Sequence, residues 1–246
     1  RVREFEQMEC EFFCKPGTDL EWFKYWKDYS LKFLESLGIG EKNLRYRDHE
    51  PEELAFYSKG TCDVEYLFPG IGWGEILGVA DRTDYDLKRH MDASKQSLEY
   101  LDPETNEKYI PYCIEPSMGV DRIFLMVACE AYDVEQLEND SRVVMHFAPK
   151  LAPYLATVLP LSKEQREFAR ELQLDLAKHF SVSYDETASI GKRYRRQDAI
   201  GTPFCITVDF DTPNDKSVTI RDRDSMEQIR LPISEVRAYL EKKLEE

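Results

Sequence analysis

Alternating and periodic apolar positions divide the first part of the chain into strands and helices. The opening segment RVREFEQME alternates its side chains and predicts a strand over residues 1–9. Thr18 and Glu21 have the spacing of a capping box, which predicts the start of an aromatic-rich helix that ends near Gly38. The segment DVEYLF predicts a further strand.

The apolar run from Ile123 to Ala131 predicts a buried helix near the middle of the chain. Pro116 and Gly119 lie just before it and predict a turn between a strand and this helix. The polar stretch DVEQLENDSR and Pro149 then follow, and they predict a domain boundary near residue 150.

After that boundary the pattern alternates between strands and helices. The predicted elements are a strand near Tyr154–Leu159, a helix over Lys163–Phe180, a strand near Ser181–Tyr184, a basic helix from Ile190, the strands CITVDF and SVTIRD, and a final helix from Ser234. In the first of these helices, Phe168, Leu172, Leu176 and Phe180 recur at every fourth position and predict a buried stripe. The alternation is typical of a small three-layer α/β domain.

Composition narrows the class of protein. The chain has 246 residues, enough for one large domain or two ordinary ones. An apolar run of about 18 residues and a signal peptide are both missing from the sequence, so we expect a cytoplasmic protein without a membrane segment. The six cysteines and four histidines lack the spacing of metal ligands, which favours reduced, mostly buried thiols.

The formal net charge of −15 argues against a nucleic-acid-binding protein at first sight. The acidity is concentrated before residue 150, however, and the remainder is nearly neutral. Its densest basic cluster lies in the predicted helix after Ile190 and comprises Lys192, Arg193, Arg195 and Arg196. Such a cluster can attract phosphates locally, although it would steer them only weakly.

The segment EPSMGVDR carries the most chemistry for its length. Glu115, Ser117 and Arg122 supply a carboxylate, a hydroxyl and a guanidinium, and Gly119 lets a flat ligand approach the backbone. The alternative is an ordinary helix entry with a surface arginine.

The opening strand also has an unusual face. Alternation would put Arg1, Arg3, Phe5, Gln7 and Glu9 on one side. Such a face suits a nucleotide, with guanidinium groups for phosphate, a ring for the base and an acid for an amine. The alternative is an amphipathic edge strand with cross-strand ion pairs.

A third segment, GWGE, delivers Glu75 to the start of an apolar strand. A carboxylate there needs a positive partner, because burying it alone is costly. The alternative to a functional role is a structural salt bridge, for example to Arg82.

Together these segments resemble the catalytic core of the dimeric type of glycyl-tRNA synthetase. RVREFEQME resembles the second half of motif 2 of class II synthetases, with Arg1, Phe5 and Glu9 in the motif's positions, and EPSMGVDR resembles motif 3. GWGE followed by DRTDYDL is similar to a segment particular to the glycine enzyme. SIGKRYRRQDAIGTPFCITVDFD and VTIRDRDSMEQIRLPI resemble the anticodon-binding domain of the glycine, histidine, proline and threonine enzymes.

The resemblance implies an α+β fold in two domains. Residues 1–149 would form part of the class II catalytic core, an antiparallel sheet flanked by helices, and residues 150–246 the α/β anticodon-binding domain. Motif 1 and the first half of motif 2 are not in the sequence. We therefore expect this segment to be inactive alone and expect the homodimer to form through the missing upstream region.

The resemblance also implies the chemistry and the site residues. The expected reaction joins glycine to tRNA(Gly) through glycyl-adenylate, with ATP and Mg²⁺. The expected catalytic residues are Arg1, Glu75 and Arg122. The expected ATP-binding residues are Arg1, Val2, Arg3, Glu4, Phe5, Glu75, Ile76, Gly119, Val120, Asp121 and Arg122. The expected glycine-binding residues are Phe5, Glu6, Gln7, Met8, Glu9, Glu75, Glu115, Pro116, Ser117, Met118 and Gly119.

Within these sets, Phe5 and Arg122 would enclose adenine, while Glu9, Glu75 and Glu115 would surround the glycine ammonium. Glu65 or Glu75 would reach the Mg²⁺ ion. The expected tRNA-binding residues are Lys192, Arg193, Arg195, Arg196, Arg221 and Arg223. For Arg221 and Arg223 the alternative is a solvated strand with ion pairs.

Two other functions stay open. One is another class II synthetase of the same subclass, such as the proline or threonine enzyme, and the other is a non-catalytic relative that acts as a binding subunit. The GWGE segment and the three acids argue against the first, since a larger amino acid needs an open side-chain pocket. Retention of Arg1, Phe5, Glu9, Glu75 and Arg122 argues against the second.

Overall fold

The computed structural model describes residues 3–138 and 140–245. It contains two compact units, the first ending at Cys129 and the second beginning at Glu130. The predicted division at residue 150 does not coincide with this boundary. A hairpin between residues 132 and 145 belongs to the second unit, because its buried Arg142 bonds to Asp198 and to the carbonyl of Arg223.

The first unit contains eight strands and three α-helices among its described residues. In chain order they are β1 Gln7–Glu9, β2 Phe12–Cys14, α1 Asp19–Ser36, β3 Leu44–Asp48, β4 Gly60–Phe68, β5 Gly72–Thr83, α2 Tyr85–Ser94, β6 Tyr100–Leu101, β7 Lys108–Tyr109, β8 Tyr112–Gly119 and α3 Val120–Ala131.

Six of these strands form one antiparallel sheet in the order β1-β8-β5-β4-β3, and β2 also pairs with β8. Its apolar face carries residues such as Val64, Val79 and Ile114, all fully buried. Aromatic residues of α1 and apolar residues of α3 pack against this face. The opposite face is polar. The predicted antiparallel sheet flanked by helices is thus confirmed.

Three local predictions were wrong. Thr18 precedes α1 but makes no side-chain capping bond, because its hydroxyl donates to the carbonyl of Lys15 instead. Pro116 does not lie in a turn but inside β8, and its carbonyl there accepts a hydrogen bond from the Cys10 amide at 2.9 Å. The opening strand is shorter than predicted, since of the described residues 3–9 only Gln7–Glu9 pairs with β8.

The second unit contains seven strands and four α-helices among its described residues. In chain order they are β9 Tyr132–Gln136, β10 Ser141–Met145, β11 Ala156–Pro160, α4 Arg166–Leu176, β12 Val182–Tyr184, α5 Ile190–Ile200, β13 Phe204–Val208, α6 Thr212–Asp215, β14 Ser217–Asp222, β15 Gln228–Pro232 and α7 Ile233–Glu245.

Strands β12-β11-β13-β14-β15 form a mixed five-stranded sheet, parallel across β12, β11 and β13 and antiparallel beyond. Its core includes the buried Leu172 and Leu176 of the predicted α4 stripe, with Phe168 and Phe180 packed at its margin. A capping box between Ser162 and Gln165 precedes α4. The predicted α/β second domain is confirmed as a fold. Within the described residues, none of the helices is both long and apolar enough to cross a bilayer.

Candidate active site on the polar face of the first sheet

Strand pairing builds a row of five residues across the polar face of the first sheet. The registers pair Arg47 with Asp63, Asp63 with Gly78, Gly78 with Ser117, and Ser117 with Glu9. Directly opposed residues of antiparallel strands project to the same side. The row therefore presents four polar side chains on one surface, with a bare glycine at its centre.

The three predicted ammonium-binding acids lie on this face. Glu9 is in the row, and Glu115 lies two positions from Ser117 on β8, so it projects to the same side. Glu75 follows a bulge in the β4–β5 pairing, and its Oε1 lies 4.0 Å from where a Cβ on Gly78 would be. The structure thus brings the three carboxylates to one surface around Gly78.

Glu115 is largely withdrawn from solvent, with 14% of its side chain exposed. Its carboxylate accepts a hydrogen bond from Nη1 of Arg82 at 3.2 Å. Burial and the neighbouring Glu11 raise the pKa of Glu115 to about 7, although Arg82 opposes this. Glu11 in turn accepts a hydrogen bond from the thiol of the buried Cys113 at 2.7 Å, and burial holds the pKa of that thiol well above its usual value.

Arg82 fixes the direction of Glu115. Its Nε also donates to Asp86 at 2.7 Å, and its guanidinium lies 4.2 Å from the ring centroid of Tyr57. The suggested structural salt bridge between Arg82 and Glu75 was wrong, because Arg82 points to Glu115 instead. We identify Arg82 as a site residue that the sequence reasoning did not assign to the site.

Glu75 instead holds Arg122, at the start of α3. Nη1 of Arg122 lies 3.3 Å from Glu75 Oε2 and donates to the Glu75 carbonyl at 3.1 Å. About half of each side chain is exposed, 49% for Arg122 and 51% for Glu75. Gly119 adjoins the guanidinium stem, since a Cβ there would lie 3.7 Å from Cγ of Arg122. A planar cation therefore stands at the margin of the acidic surface, accessible to a ligand.

The start of β1 and the segment before it border the same region. Gln7, the first residue of β1, donates to the Ser117 hydroxyl at 2.6 Å, and the preceding Glu6 amide donates to Asp121 at 3.3 Å. Phe5 is 61% exposed, as expected for a ring that stacks on a ligand rather than on the core. Arg3 and Glu4 are also exposed, whereas Arg1 and Val2, both predicted to bind ATP, lie outside the described residues.

Several predicted site residues direct their side chains away from this surface. Met8, Met118 and Leu77 form a row by the same registers, and alternation puts that row on the opposite, apolar face. Pro116 is buried on that face too, and Ile76 belongs to the core. Only the backbones of Met8, Ile76, Pro116 and Met118 could contact a ligand on the polar face. The backbone amide of Val120 donates to the Glu6 carbonyl at 2.9 Å.

Asp63 is a second residue that the sequence reasoning missed. It is 9% exposed, and its Oδ1 would lie 3.6 Å from a Cβ on Gly78. Its Oδ2 lies 2.8 Å from Nε2 of His49 and 3.6 Å from Nη1 of Arg47. The signal was the alternation in TCDVEYLF, which places Asp63 and Glu65 on the same side as Thr61.

The surroundings of Glu65 do not fit the predicted Mg²⁺ ligand. Its Oε2 accepts hydrogen bonds from Nε of Arg45 at 2.7 Å and pairs with Nη2 at 2.6 Å. The same guanidinium lies 4.3 Å from the ring centroid of Trp73. A metal cation at Glu65 would therefore be repelled by the positive charge of Arg45, which already occupies the carboxylate.

The predicted tRNA-binding residues of the second unit fall into two groups. Lys192, Arg195 and Arg196 are partly or fully exposed on α5. Arg195 pairs with Asp140 at 3.1 Å, and Arg196 pairs with Asp185. These three side chains are available to an external anion.

The other three arginines are buried, and their guanidinium groups bind the chain itself. Arg193 donates to the carbonyls of Pro160 and Ala188, and Arg223 donates to the carbonyl of Gly201. Arg221 forms a two-pronged pair with the fully buried Asp198, with distances of 2.8 and 3.1 Å. Of the alternative suggested for Arg221 and Arg223, the ion pairs are present, with Asp198 and Asp224, but the solvated strand was wrong because both side chains are buried. Burial also makes direct contact of these three residues with tRNA physically unfavourable in this conformation.

Comparisons with known proteins agree with this architecture. A family model described as the anticodon binding domain matches residues 156–243. A glycine–tRNA ligase of Clostridium acetobutylicum is 64% identical over 245 residues, which cover 99% of this chain and 53% of that protein. A glycine–tRNA ligase of Bacillus cereus is 62% identical over 100% of this chain and 53% of its own length.

Among solved structures, a prolyl-tRNA synthetase from Cryptosporidium parvum aligns with a TM-score of 0.70. It covers 100% of this chain and 51% of its own, and because the identity is only 20% it bears on the fold alone. The chain spans about half the length of the curated relatives that it matches. Over nearly its whole length, the chain is thus 62–64% identical to about half of each of these glycine–tRNA ligases.

Proposed function

We propose that the protein containing this chain activates glycine with ATP and transfers it to tRNA(Gly). Its identity to glycine–tRNA ligases supports the reaction class. The observation that carries the proposal is the arrangement of Glu9, Glu75 and Glu115 around the bare Gly78, with Arg122 beside them. A small amine and a nucleotide phosphate are the ligands that such a surface suits.

In the first step, a carboxylate oxygen of glycine attacks the α-phosphorus of ATP. A bond forms between this oxygen and the α-phosphorus as the bond from the α-phosphorus to pyrophosphate breaks. The products are glycyl-adenylate and pyrophosphate. Alignment and stabilisation of charge dominate such a displacement. Arg1 and Arg3 are assigned to the phosphates and the adenylate, and Phe5 and Arg122 to the two opposite faces of the adenine ring.

Recognition of the amino acid depends on its ammonium group, because glycine has no side chain to bind. Carboxylates form strong, charge-assisted hydrogen bonds with an ammonium. Since the pKa of Glu115 is raised to about 7, part of the population is protonated at neutral pH. An arriving ammonium favours the ionised carboxylate, so glycine binding releases that proton.

In the second step, the terminal adenosine hydroxyl of tRNA attacks the glycyl carbonyl and AMP leaves. The match to an anticodon-binding domain supports tRNA as the acceptor. Lys192, Arg195 and Arg196 are assigned to its phosphates, as the exposed cations of α5. The homodimer and the cytoplasmic location stay predictions.

Exchange of radiolabelled pyrophosphate into ATP tests the proposal on the full-length protein. We expect exchange that depends on glycine and not on alanine, serine or proline. Exchange driven best by proline would favour another synthetase of the same subclass. No exchange with any amino acid, together with retained tRNA binding, would favour a non-catalytic binding subunit.

A further inference from the structure

Gly78 occupies the centre of the polar face, in the middle of the longest strand of the sheet. Asp63 is opposite it on β4 and Ser117 is opposite it on β8. A glycine inside a strand weakens the strand, and it commonly marks a place where a ligand or another backbone approaches closely. Here the surrounding groups are acids, since Glu75 also reaches to the same point.

The fold itself does not require a glycine at this position. The φ of Gly78 lies outside the left-handed region. An added Cβ would meet Asp63 Oδ1 at 3.6 Å and Glu75 Oε1 at 4.0 Å, which are ordinary van der Waals distances to the tips of flexible side chains. Gly201 is the opposite case, because its φ is +85° and an added Cβ would lie 2.5 Å from the ring of Phe147.

The chain therefore leaves a space above Gly78 that could hold a methyl group, and the carboxylates of Asp63 and Glu75 border this space. A ligand that enters it must be small at the contacting atom and must carry positive charge to match the acids. The α-carbon and ammonium of an amino acid without a side chain meet both conditions.

We infer that Gly78 is a specificity-determining residue, whose missing side chain forms the floor on which the α-carbon and ammonium of glycine lie. This inference rests on the proposed function and adds Gly78 to the residues that would select glycine. A methyl group on the floor would lift the substrate by more than an ångström from Glu75 and Asp63. Displacements of that size cost about 100-fold in rate when two reactants must be aligned.

The experiment compares Gly78→Ala with Gly60→Ala in the full-length protein. Gly60 lies at the start of β4 in the same sheet, and an added Cβ there would be 3.8 Å from Phe23, also an ordinary contact. We expect kcat/KM for glycine in pyrophosphate exchange to fall about 100-fold in the Gly78 variant. The Gly60 variant should stay within about threefold of the unchanged protein, and the KM for ATP should change little in either.

ATP binding, measured by calorimetry without glycine, reports whether each variant keeps a folded site. If Gly78→Ala loses ATP binding and glycine activation together, or keeps the original kcat/KM for glycine, the assignment of the floor is overturned. If the unchanged protein does not exchange pyrophosphate with glycine, the proposed function fails first. The two failures are thus distinguishable.

Discussion

The two units treat charged side chains in opposite ways. On the polar face of the first sheet, Glu75 and Arg122 pair while remaining about half exposed, and the surface beside them is bare at Gly78. In the second unit, Arg142, Arg221 and Asp198 form a network in which Asp198 is fully buried. The first arrangement leaves room for a ligand, and the second is filled by the chain itself.

The comparison shows that the number of arginines in a segment does not indicate whether they bind an external partner. Each guanidinium in the buried network already has the chain's own carboxylates or carbonyls as acceptors. In the first unit, burial and the neighbouring Glu11 raise the pKa of Glu115, although Arg82 is its partner. Charged pairs that stay partly exposed beside a bare backbone position distinguish this surface from a structural network.

The largest expected effect is on the buried network. Asp198→Asn keeps the shape of the side chain but leaves Arg142 and Arg221 without their shared counter-charge. We expect the second unit to lose about 3–5 kcal/mol of unfolding free energy. Denaturant titration followed by hydrogen exchange of that unit measures the loss. As a control, Asp140→Asn removes a pair with 67% of the acid exposed, and it should cost less than about 1 kcal/mol. Equal stability of the two variants would show that the network is not a structural one.

The next effect concerns the open surface. Glu115→Ala removes an acid assigned to the ammonium, and we expect kcat/KM for glycine to fall about 100-fold while the KM for ATP changes little. Steady-state pyrophosphate exchange on the full-length protein gives both constants. Glu104→Ala, in an exposed turn, is the control. An equal loss for glycine and ATP would remove Glu115 from the set of substrate ligands.

A smaller effect concerns the pH dependence of stability. The pKa of Glu115 is about 7 in the folded protein and lies above its ordinary value of 4.5. Ionisation therefore occurs more readily in the unfolded chain, and the cost to the folded state grows as the pH rises from 4.5 to about 7. Glu115→Gln should thus be more stable than the unchanged protein at pH ~8, by on the order of 1 kcal/mol.

The difference should disappear as the pH falls below 4.5, where Glu115 becomes protonated in the unfolded chain as well as in the folded protein. Thermal unfolding at several pH values of the unliganded full-length protein provides the measurement. A difference that does not vary with pH would mean that lost packing, not ionisation, separates the two proteins.

The smallest effect belongs to the exposed cations. Replacing Lys192, Arg195 or Arg196 singly by alanine should weaken tRNA binding only a few-fold and lower the salt slope by about 1. Filter binding at several salt concentrations measures both quantities. Arg193→Ala should instead destabilise the second unit, because two carbonyls lose their donor. If the salt slope is unchanged in all three surface variants, these side chains do not contact tRNA phosphates.

Much of the architecture could be predicted from the sequence, because alternation and apolar periodicity report directly on burial. The strands around DVEYLF and after GWGE, the buried α4 stripe and the α/β second domain are in the structure as predicted. The motif segments gave the three acids and Arg122, which the sheet brings to one region. Strand β1 pairs with β8, although more than a hundred residues separate them in the sequence. Local sequence patterns do not predict which distant strands pair.

The errors have physical causes of the same kind. A basic strand and a basic helix resemble a nucleic-acid surface, but the burial of Arg193, Arg221 and Arg223 depends on acceptors such as Asp198 and Gly201, distant in sequence. Alternation puts Asp63 on the same face as Glu65, but the position of Asp63 opposite Gly78 depends on the pairing of β4 with β5, which the local sequence does not show. Thr18 bonded to a preceding carbonyl, and this alternative has the same sequence as a capping box.

The junction between β8 and α3 has a consequence for the evolution of this surface. The strand ends at Gly119 and the helix begins at Val120, with no connecting loop. Inserting one residue there would rotate Arg122 by about 100° around the helix axis and carry its guanidinium away from Glu75. Insertions or deletions at this junction would therefore displace Arg122 relative to Ser117 on β8. Substitutions there leave the chain length, and with it the position of Arg122 on the helix, unchanged.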